Sequence, residues 1–270
     1  MPAFFRKKSS STVSMVNENL KMLYQVGNVQ GVGKRSRQED SFTFANALDE
    51  KKADEKGLMF AVCDGMGGMK DGREASQTAV ASLRSSFEGL DVSGDIGGQL
   101  REGVITASEK VREKLAGGGG STVVMGVIIH EQLYFASVGD SFLFLYRDGS
   151  VYRLNRLQTV CSELYLKALD SGITDPESCR SDPDAPALLQ FLGMPGMSDV
   201  DYNRRPLRLN RGDVLIACSD GVGGVLTEED IVEAAAWPDT QDKCRRIQAH
   251  IREHSIPEQD NYTALVISCI

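Results

Sequence analysis

The sequence predicts an α+β fold in which antiparallel β-sheets are covered by helices. Short apolar strand patterns cluster in the middle of the chain, helical patterns lie before and after them, and adjacent strands are joined by short turns. A doubly wound parallel sheet would instead alternate strands and helices regularly. With 270 residues, of which 41% are hydrophobic, the chain is long enough to form one large domain.

Six apolar segments have the length and composition of β-strands. The segment at 141–147 is followed by Asp148 and Gly149, a pair that favours a hairpin turn before a further strand in "VYRL". Strands joined this closely are antiparallel. The predicted strands are 58–63, 121–129, 132–138, 141–147, 213–219 and 262–270.

Five segments show the spacing of apolar residues that is typical of helices. Thr227 stands before one of them as an N-cap, with Asp230 three residues later. From about residue 159 to 201 the pattern changes from a helix to a Pro- and Asp-rich stretch, which we interpret as a surface insertion. The predicted helices are 73–89, 98–116, 159–171, 227–236 and 240–254.

The composition of the chain limits its partners. A formal charge of −8 and a pI near 5.1 argue against a surface for nucleic acid or an anionic membrane, because both require clustered Lys and Arg. No apolar run approaches the ~20 residues of a membrane span. Residues 1–19 lack the apolar core of a secretory signal, so we interpret them as a flexible leader and expect a cytoplasmic protein.

The six cysteines form no CxxC pair and have no zinc-like spacing. Cys63, Cys218 and Cys269 lie in apolar strand patterns. We therefore expect reduced, mostly structural thiols in a reducing compartment.

Acidic residues stand at the ends of several predicted strands. A buried, ionised carboxylate must be paired, hydrogen-bonded or bound to a metal. Single acids of this kind are often turn residues, but "CDGMGG" and "CSDGVGG" both place Asp-Gly-x-Gly-Gly after an apolar strand. Carboxylates gathered by folding would repel one another unless divalent cations lay among them. The acids are Glu39, Asp40, Asp64, Asp140, Asp220 and Asp260.

The chemistry of these residues indicates which ion would bind. Oxygen ligands suit Mg²⁺ or Mn²⁺, whereas a zinc site would normally include His or Cys. Gly65 has no side chain, so its carbonyl can approach a metal closely. Two ions ~4 Å apart can activate a bridging water for attack on phosphorus. The residues therefore predict a hydrolase of phosphate esters.

Five motifs resemble, in order, those of the type 2C, metal-dependent protein serine/threonine phosphatases, and most of all their bacterial branch. The resemblance runs from about residue 27 to the C-terminus, and it implies a four-layer sandwich of two antiparallel sheets between outer helices. It also implies a catalytic domain over 20–270, with a mobile flap at 159–201. The motifs are "GKRSRQEDS", "VCDGMGGMKDGREAS", "SVGDS", "LIACSDGVGGVLTEEDI" and "QDNYTALVI".

The resemblance assigns roles to individual residues. Asp64 would bridge two metals, and Gly65 would offer its carbonyl to one of them. Asp220 and Asp260 would complete the paired site directly or through waters. Arg35 falls where the family places its phosphate-binding arginine, whose planar fork of donors matches phosphate oxygens. Asp64, Asp220 and Arg35 are thus the predicted catalytic residues.

Three further acids receive roles in the same way. Glu39 and Asp40 would lie in or next to the metal coordination sphere. Asp140 matches the site of a third, weaker metal shared with Asp220, and Asp175 in the insertion is a weaker candidate for that ion.

The chain departs from the family pattern at two places. Phe142 replaces an arginine that many members have after the "GDS" motif, which we expect to change local packing more than chemistry. Met66 stands where animal relatives have a histidine, so a histidine general acid is excluded there. A metal-bound water is a candidate proton donor for the leaving group, and the sequence does not identify the general acid.

The implied reaction is release of phosphate from phosphoserine and phosphothreonine by direct attack of a metal-activated water. The implied partners are phosphorylated proteins, substrates of a serine/threonine kinase, and we expect a monomer. The net charge favours basic segments around the phosphorylated residue. The alternatives are an inactive binding or regulatory module of the same fold and a phosphatase of small phosphoesters.

Two other segments resemble motifs of different functions. "HIREH" at 250–254 matches a zinc-protease pattern, with a solvated amphipathic helix as the simpler interpretation. "GNVQGVGKR" at 27–35 lacks the spacing of a phosphate-binding loop.

Overall fold

The computed structural model of the protein describes residues 21–66, 71–175 and 179–270. Two antiparallel sheets are present in these ranges, one with the strand order β1-β11-β10-β6-β7 and one with the order β2-β3-β4-β5-β8. The short strand β9 also pairs with β5. The strands are β1 Tyr24–Gly31, β2 Ser41–Ala45, β3 Leu58–Cys63, β4 Val123–Ile129, β5 Gln132–Val138, β6 Phe142–Arg147, β7 Ser150–Arg153, β8 Asp201–Tyr202, β9 Leu207–Arg208, β10 Val214–Cys218 and β11 Tyr262–Cys269.

Helices cover the outer faces of both sheets. α2 and α3 pack on the sheet that contains β3, whereas α6 and α7 pack on the sheet that contains β11. The helices are α1 Glu50–Lys56, α2 Gly72–Glu88, α3 Ile96–Leu115, α4 Val160–Asp170, α5 Asp220–Gly223, α6 Glu228–Ala235 and α7 Thr240–His254. The predicted four-layer α+β sandwich is confirmed.

The central strands are buried on both faces because each sheet lies between a second sheet and a helical layer. Along β3, Phe60 packs between the two sheets while the adjacent Ala61 packs toward α2 and α3. Along β11, Leu265 packs between the sheets while Val266 packs toward α6 and α7. β3 is therefore a continuous apolar run, and β11 is apolar except for Thr263 and Ser268 near its ends. The regular alternation of half-exposed strands is absent from both.

The predicted elements agree with the structure to within two residues at their ends. β3, β5 and α7 have the predicted bounds, and Thr227 caps α6 in a capping box with Asp230. The strands β1, β8 and β9 and the helices α1 and α5 are not among the predicted elements. β1 contains Gln, Asn and Gly, and α1 has no buried residue, so neither carries a strong apolar pattern.

The expectation that all six cysteines are reduced is wrong for two of them. Cys161 at the start of α4 forms a disulfide with Cys179, whereas the other four cysteines are buried thiols. The two partners are 18 residues apart, and neither lies in a CxxC motif or an apolar strand, so their pairing depends on how the chain folds between them.

The predicted leader at 1–19 lies outside the described residues. Among the helices of the described ranges, none combines the length and the hydropathy that crossing a membrane requires.

We expect Leu265→Ala to lower the free energy of unfolding by about 2 to 5 kcal/mol, because the change leaves a cavity between the two sheets. Chemical denaturation of both proteins measures the difference. Leu48→Ala is the matched control, since Leu48 is 99% exposed and its truncation should cost less than about 0.5 kcal/mol. Equal losses in the two variants would contradict the assignment of Leu265 to the core.

Candidate active site

A polar pocket of about 140 Å³ lies at one end of the sandwich, where loops from both sheets meet. It brings together residues that are as many as 225 positions apart in sequence. Seven of the eight predicted site residues line it. They are Arg35, Glu39, Asp64, Gly65, Asp140, Asp220 and Asp260.

Asp64 follows β3 directly, and its backbone is fixed from both sides. The N–H of Asp64 donates to the Thr122 hydroxyl at 3.1 Å, and the N–H of Thr122 donates to the carbonyl of Asp64 at 2.8 Å. At Gly65 a Cβ would collide with the backbone oxygens of Glu39 and Gly72. Only glycine therefore fits between these two segments, which explains its place in the motif.

Asp40, the eighth predicted residue, lies immediately behind the pocket and is 5% exposed. Its Oδ2 accepts hydrogen bonds from the Ser219 hydroxyl at 2.9 Å and the Thr263 hydroxyl at 2.7 Å. The Ser219 hydroxyl also accepts from the N–H of Thr263, and Gln30 donates to the Thr263 hydroxyl. We refer to Ser219 and Thr263 as the hydroxyl clamp. The clamp binds Oδ2 of Asp40, whereas Oδ1 of Asp40 is buried and has no hydrogen-bond partner.

Asp220 is the first residue of α5, and Ser219 before it makes no side-chain cap to this helix because its hydroxyl faces Asp40. At Gly221 a Cβ would collide with the carbonyl oxygen of Asn261. This close approach places the start of α5 against the start of β11. Oδ1 of Asp220 is buried and has no hydrogen-bond partner.

Arg35 lies at the mouth of the pocket, where its Nη2 is 2.6 Å from Oδ2 of Asp260. Asn261 connects the loop of Arg35 to β11, since its Nδ2 donates to the carbonyls of Val32 and Arg37. Its Oδ1 accepts from the N–H of Glu39 at 2.7 Å. Buried Asn261 thus sets the position of this loop, residues 32–40, relative to Asp260. We refer to it as the arginine loop.

The carboxylates are crowded enough to oppose one another's ionisation. Burial, and then the charges of Asp40 and Asp220, raise the pKa of Asp64 well above its ordinary value. Burial raises the pKa of Asp40 to about 6, although the hydrogen bonds from the hydroxyl clamp lower it. Burial and the charge of Asp220 raise the pKa of Asp140 to about 7. A cation would remove this repulsion.

Several observations test whether these residues suit a divalent metal. The donors are oxygens only, and two buried carboxylate oxygens, Oδ1 of Asp40 and Oδ1 of Asp220, lack partners. That chemistry fits Mg²⁺ or Mn²⁺. Within residues 21–66, 71–175 and 179–270, however, no three His, Cys, Asp or Glu side chains stand in the geometry to hold one ion. The chemical types of these residues therefore fit Mg²⁺ or Mn²⁺, but their side chains are not arranged around a common point as a coordination sphere.

The other predicted features have clear places in the fold. Met66 lines the pocket, and Phe142 stacks on Phe144 with 5.4 Å between ring centroids and closes against Gly223. Asp175 is not among the residues that line the pocket. Sequence reasoning missed the hydroxyl clamp and Asn261, which neighbour predicted aspartates but carry no pattern of their own.

The "HIREH" segment lies on α7, packed against α6. The Nε2 of His250 is 2.7 Å from Glu233, and the Nε2 of His254 is 2.7 Å from Asp230. Both rings are thus engaged by carboxylates, and the segment connects two helices as part of an amphipathic surface. The region of "GNVQGVGKR" is mostly the strand β1 and has no phosphate loop.

The sequence of the first half of the chain matches a known protein family. The family model described as "Protein phosphatase 2C" matches residues 24–163, just over half of the chain. The chain belongs to the protein phosphatase 2C family. Its matched part ends within α4, so the family model covers Asp64 and Asp140 but not Asp220.

Two curated relatives illustrate the similarity of this chain to known phosphatases. The chain is 27% identical over 214 residues to the serine/threonine phosphatase stp of Listeria monocytogenes. The alignment covers 76% of this chain and 82% of that protein. It is also 27% identical over 194 residues to the serine/threonine protein phosphatase PstP of Mycobacterium tuberculosis, which covers 70% of this chain. The match spans only 36% of the length of PstP.

Solved structures of protein phosphatase 2C relatives have the same fold. The Ser-Thr phosphatase MsPP of Mycobacterium smegmatis, in complex with cacodylate, has a TM-score of 0.72 and 26% identity, covering 90% of this chain and 97% of that chain. The catalytic domain of PstP in complex with two manganese ions has a TM-score of 0.71, and the match covers 92% of this chain and 99% of that chain. At 22% identity, the second likeness concerns the fold alone.

We expect the metal-free protein to lose stability as the pH rises from 5 to 8. The folded pKa values of Asp40 and Asp140, about 6 and about 7, lie above the ordinary 3.8. The folded state therefore binds more protons than the unfolded state in this window, and stability falls as those protons leave. The pKa values of Asp230 and Glu233 are both lowered to about 2, so these groups contribute their full stabilisation already below pH 5. Their contribution therefore does not change between pH 5 and 8.

Thermal midpoints measured in EDTA between pH 5 and 8 report this effect. Asp140→Asn removes the carboxyl whose pKa is about 7, so the loss of stability near pH 7 should be smaller in this variant. Addition of Mn²⁺ should raise the midpoint more at pH 8 than at pH 5. A midpoint that rises steadily from pH 5 to 8 in EDTA would contradict the raised pKa values.

Proposed function

We propose that this chain is a metal-dependent phosphoprotein phosphatase that releases phosphate from phosphoserine and phosphothreonine. One observation carries the proposal: in a chain of the protein phosphatase 2C family, an arginine and a set of buried acids meet in one small polar pocket. The Ser/Thr phosphatase relatives support this class of substrate. The whole protein's activity is part of the proposal.

Two divalent ions, Mg²⁺ or Mn²⁺, are the proposed cofactors. Asp64, the carbonyl of Gly65, Asp220 and Asp260 would hold them, with Asp40 and Glu39 in or beside their coordination spheres. The oxygen-only donors and the unpartnered oxygens of Asp40 and Asp220 support this assignment, as do the two manganese ions of the PstP catalytic domain. When bound, such ions activate water and neutralise charge on the transferred phosphoryl group.

Asp140 is proposed as the ligand of a third, weaker ion shared with Asp220. Their proximity supports this role, since the charge of Asp220 raises the pKa of Asp140.

Arg35 is the proposed phosphate-binding residue. Its side chain is 54% exposed at the mouth of the pocket and is paired with Asp260. A guanidinium can donate two parallel hydrogen bonds to phosphate oxygens. Arg35 would therefore orient the phosphate above the acids and stabilise the negative charge that the acids alone would repel.

The leaving serine or threonine oxygen needs a proton. Among the residues described as lining the pocket there is no histidine, and Met66 cannot donate. The pocket is open to solvent at its mouth, where Arg35 is half-exposed. We propose that a water molecule supplies the proton and that no phosphoenzyme forms.

The biological setting follows from this proposal. The substrates would be proteins phosphorylated by a serine/threonine kinase, and the protein would act as a cytoplasmic monomer. Neither an inactive binding module nor a phosphatase of small phosphoesters is favoured by a specific observation. Arg35 and the acids at the pocket are all of the types that catalysis needs.

The first test is phosphate release from a phosphothreonine peptide with Mn²⁺, measured for the wild type and two variants. Asp220→Asn should abolish turnover because it removes a proposed metal ligand. Arg35→Ala should raise KM for the peptide, since it removes the proposed phosphate contact and leaves the acids in place. EDTA should stop release by the wild type.

Protein that is folded by circular dichroism and inactive with every metal would support a binding module. A fully active Asp220→Asn variant would overturn the metal assignment. Release from small phosphoesters without release from phosphopeptides would indicate the other alternative.

The hydroxyl clamp should matter for metal affinity. Thr263→Val keeps the shape of the side chain but removes the hydroxyl that donates to Asp40. We expect a roughly 10- to 100-fold loss of Mn²⁺ affinity, because groups that orient metal ligands commonly have effects of this size. Isothermal titration with Mn²⁺, without substrate, measures the change.

Thr78→Val is the matched control, since Thr78 is half-buried on α2, away from the pocket, and its hydroxyl donates to the carbonyl of Glu74 in the same helix. Wild-type Mn²⁺ affinity in Thr263→Val, with a normal thermal midpoint, would show that the clamp does not orient a ligand.

A further inference from the structure

A second groove lies beside the candidate active site. Its volume is about 590 Å³, and it is bordered by the arginine loop on one side and by the end of α7 and the loop before β11 on the other. Its walls combine apolar and cationic side chains. They include Val32, Lys34, Arg252, Ile256 and Pro257.

The groove shares its supporting loops with the catalytic pocket. Lys34 directly precedes Arg35, and Gln259, which also lines the groove, directly precedes Asp260. The N–H of Lys34 donates to the carbonyl of Gln259 at 2.7 Å, which binds the two loops together. A peptide whose phosphorylated residue contacts Arg35 would therefore have the groove next to it.

The charge of the groove is positive although the chain as a whole is negative. Lys34 and Arg252 are the charged residues among those described as lining it, and neither forms an ion pair within the described chain. Glu253 is engaged elsewhere, by Arg246 at 3.0 Å. Glu258 is exposed in the bordering loop but is not part of the lining.

The groove also offers exposed apolar surface. Val32 is 40% exposed and Ile256 is 37% exposed, and Pro257 is exposed beside them. Apolar side chains that stay exposed next to unpaired cations suit an extended peptide with both an acidic and an apolar residue.

We propose that this groove binds the segment of a phosphoprotein substrate that flanks the phosphorylated residue and that it selects segments with acidic and apolar side chains. The proposal rests on the phosphatase function proposed above and adds a substrate preference to it. The preference is opposite to the one that the net charge favours, because a bound segment experiences the nearby charges of Lys34 and Arg252 more strongly than the distant acids.

The test compares two phosphothreonine peptides of equal length. One carries glutamates and leucines on both sides of the phosphothreonine, and the other has lysines in place of the glutamates. We expect the wild type to have a roughly fivefold higher kcat/KM for the acidic peptide, as a partly exposed charge pair allows. Arg252→Glu should reduce this ratio to one or below, and Arg252→Lys should retain it.

Arg112→Glu is the matched control because Arg112, like Arg252, is a cation in the last turn of a helix, here α3. It should keep the wild-type ratio. An unchanged ratio in Arg252→Glu, or a wild type that prefers the basic peptide, would overturn the groove assignment while leaving the phosphatase function intact.

Two further measurements separate this proposal from the proposed function. Hydrolysis of p-nitrophenyl phosphate by the wild type reports the chemistry without any peptide contact. Fluorescence anisotropy of the labelled acidic peptide in EDTA reports binding without turnover. If nothing is hydrolysed, the phosphatase function fails, and the anisotropy still decides the groove: weaker binding by Arg252→Glu supports it, and binding equal to the wild type overturns it.

Discussion

Repulsion among the buried carboxylates at one end of the sandwich is the constraint on which the local structure depends. Asp40, Asp64, Asp140 and Asp220 all have raised pKa values because burial removes water from groups that also face one another. Left to itself, such a cluster would separate or take up protons. It stays together because its backbone is fixed by hydrogen bonds and by close contacts that only glycine permits, as at Gly65.

The two sheets contribute different parts of the site, which makes the site a product of their packing. Asp64 and Asp140 follow strands of one sheet, whereas Asp220 and Asp260 adjoin strands of the other. The apolar layer between the sheets therefore sets the distances across the pocket. The hydroxyl clamp on Asp40 also crosses this boundary, since Asp40 precedes β2, whereas Ser219 follows β10 and Thr263 lies in β11. The positions of the acids therefore depend on how the two sheets pack against each other.

Charge is distributed unevenly around the site. The pocket is acidic, its mouth carries Arg35, and the neighbouring groove carries Lys34 and Arg252. A phosphorylated segment would meet cations first and acids last, and divalent ions would be needed only at the deepest point. The net charge of −8 does not predict this arrangement, because electrostatic interactions in salt extend over about 8 to 10 Å and a bound peptide experiences mainly its immediate neighbours.

The sequence by itself determined the strand and helix order and the identity of the predicted acids, because apolar runs and the repeated Asp-Gly-x-Gly-Gly motif are local patterns. It could not predict β1 or α1, which lack such patterns, the short elements β8, β9 and α5, or the pairing of Cys161 with Cys179. Only the tertiary structure decided which hydroxyls hold Asp40, how Asn261 positions the arginine loop, and where Arg252 lies. The contact of Thr263 with Asp40, for example, joins residues 223 positions apart. Such contacts depend on how the two sheets pack, and no local pattern records that packing.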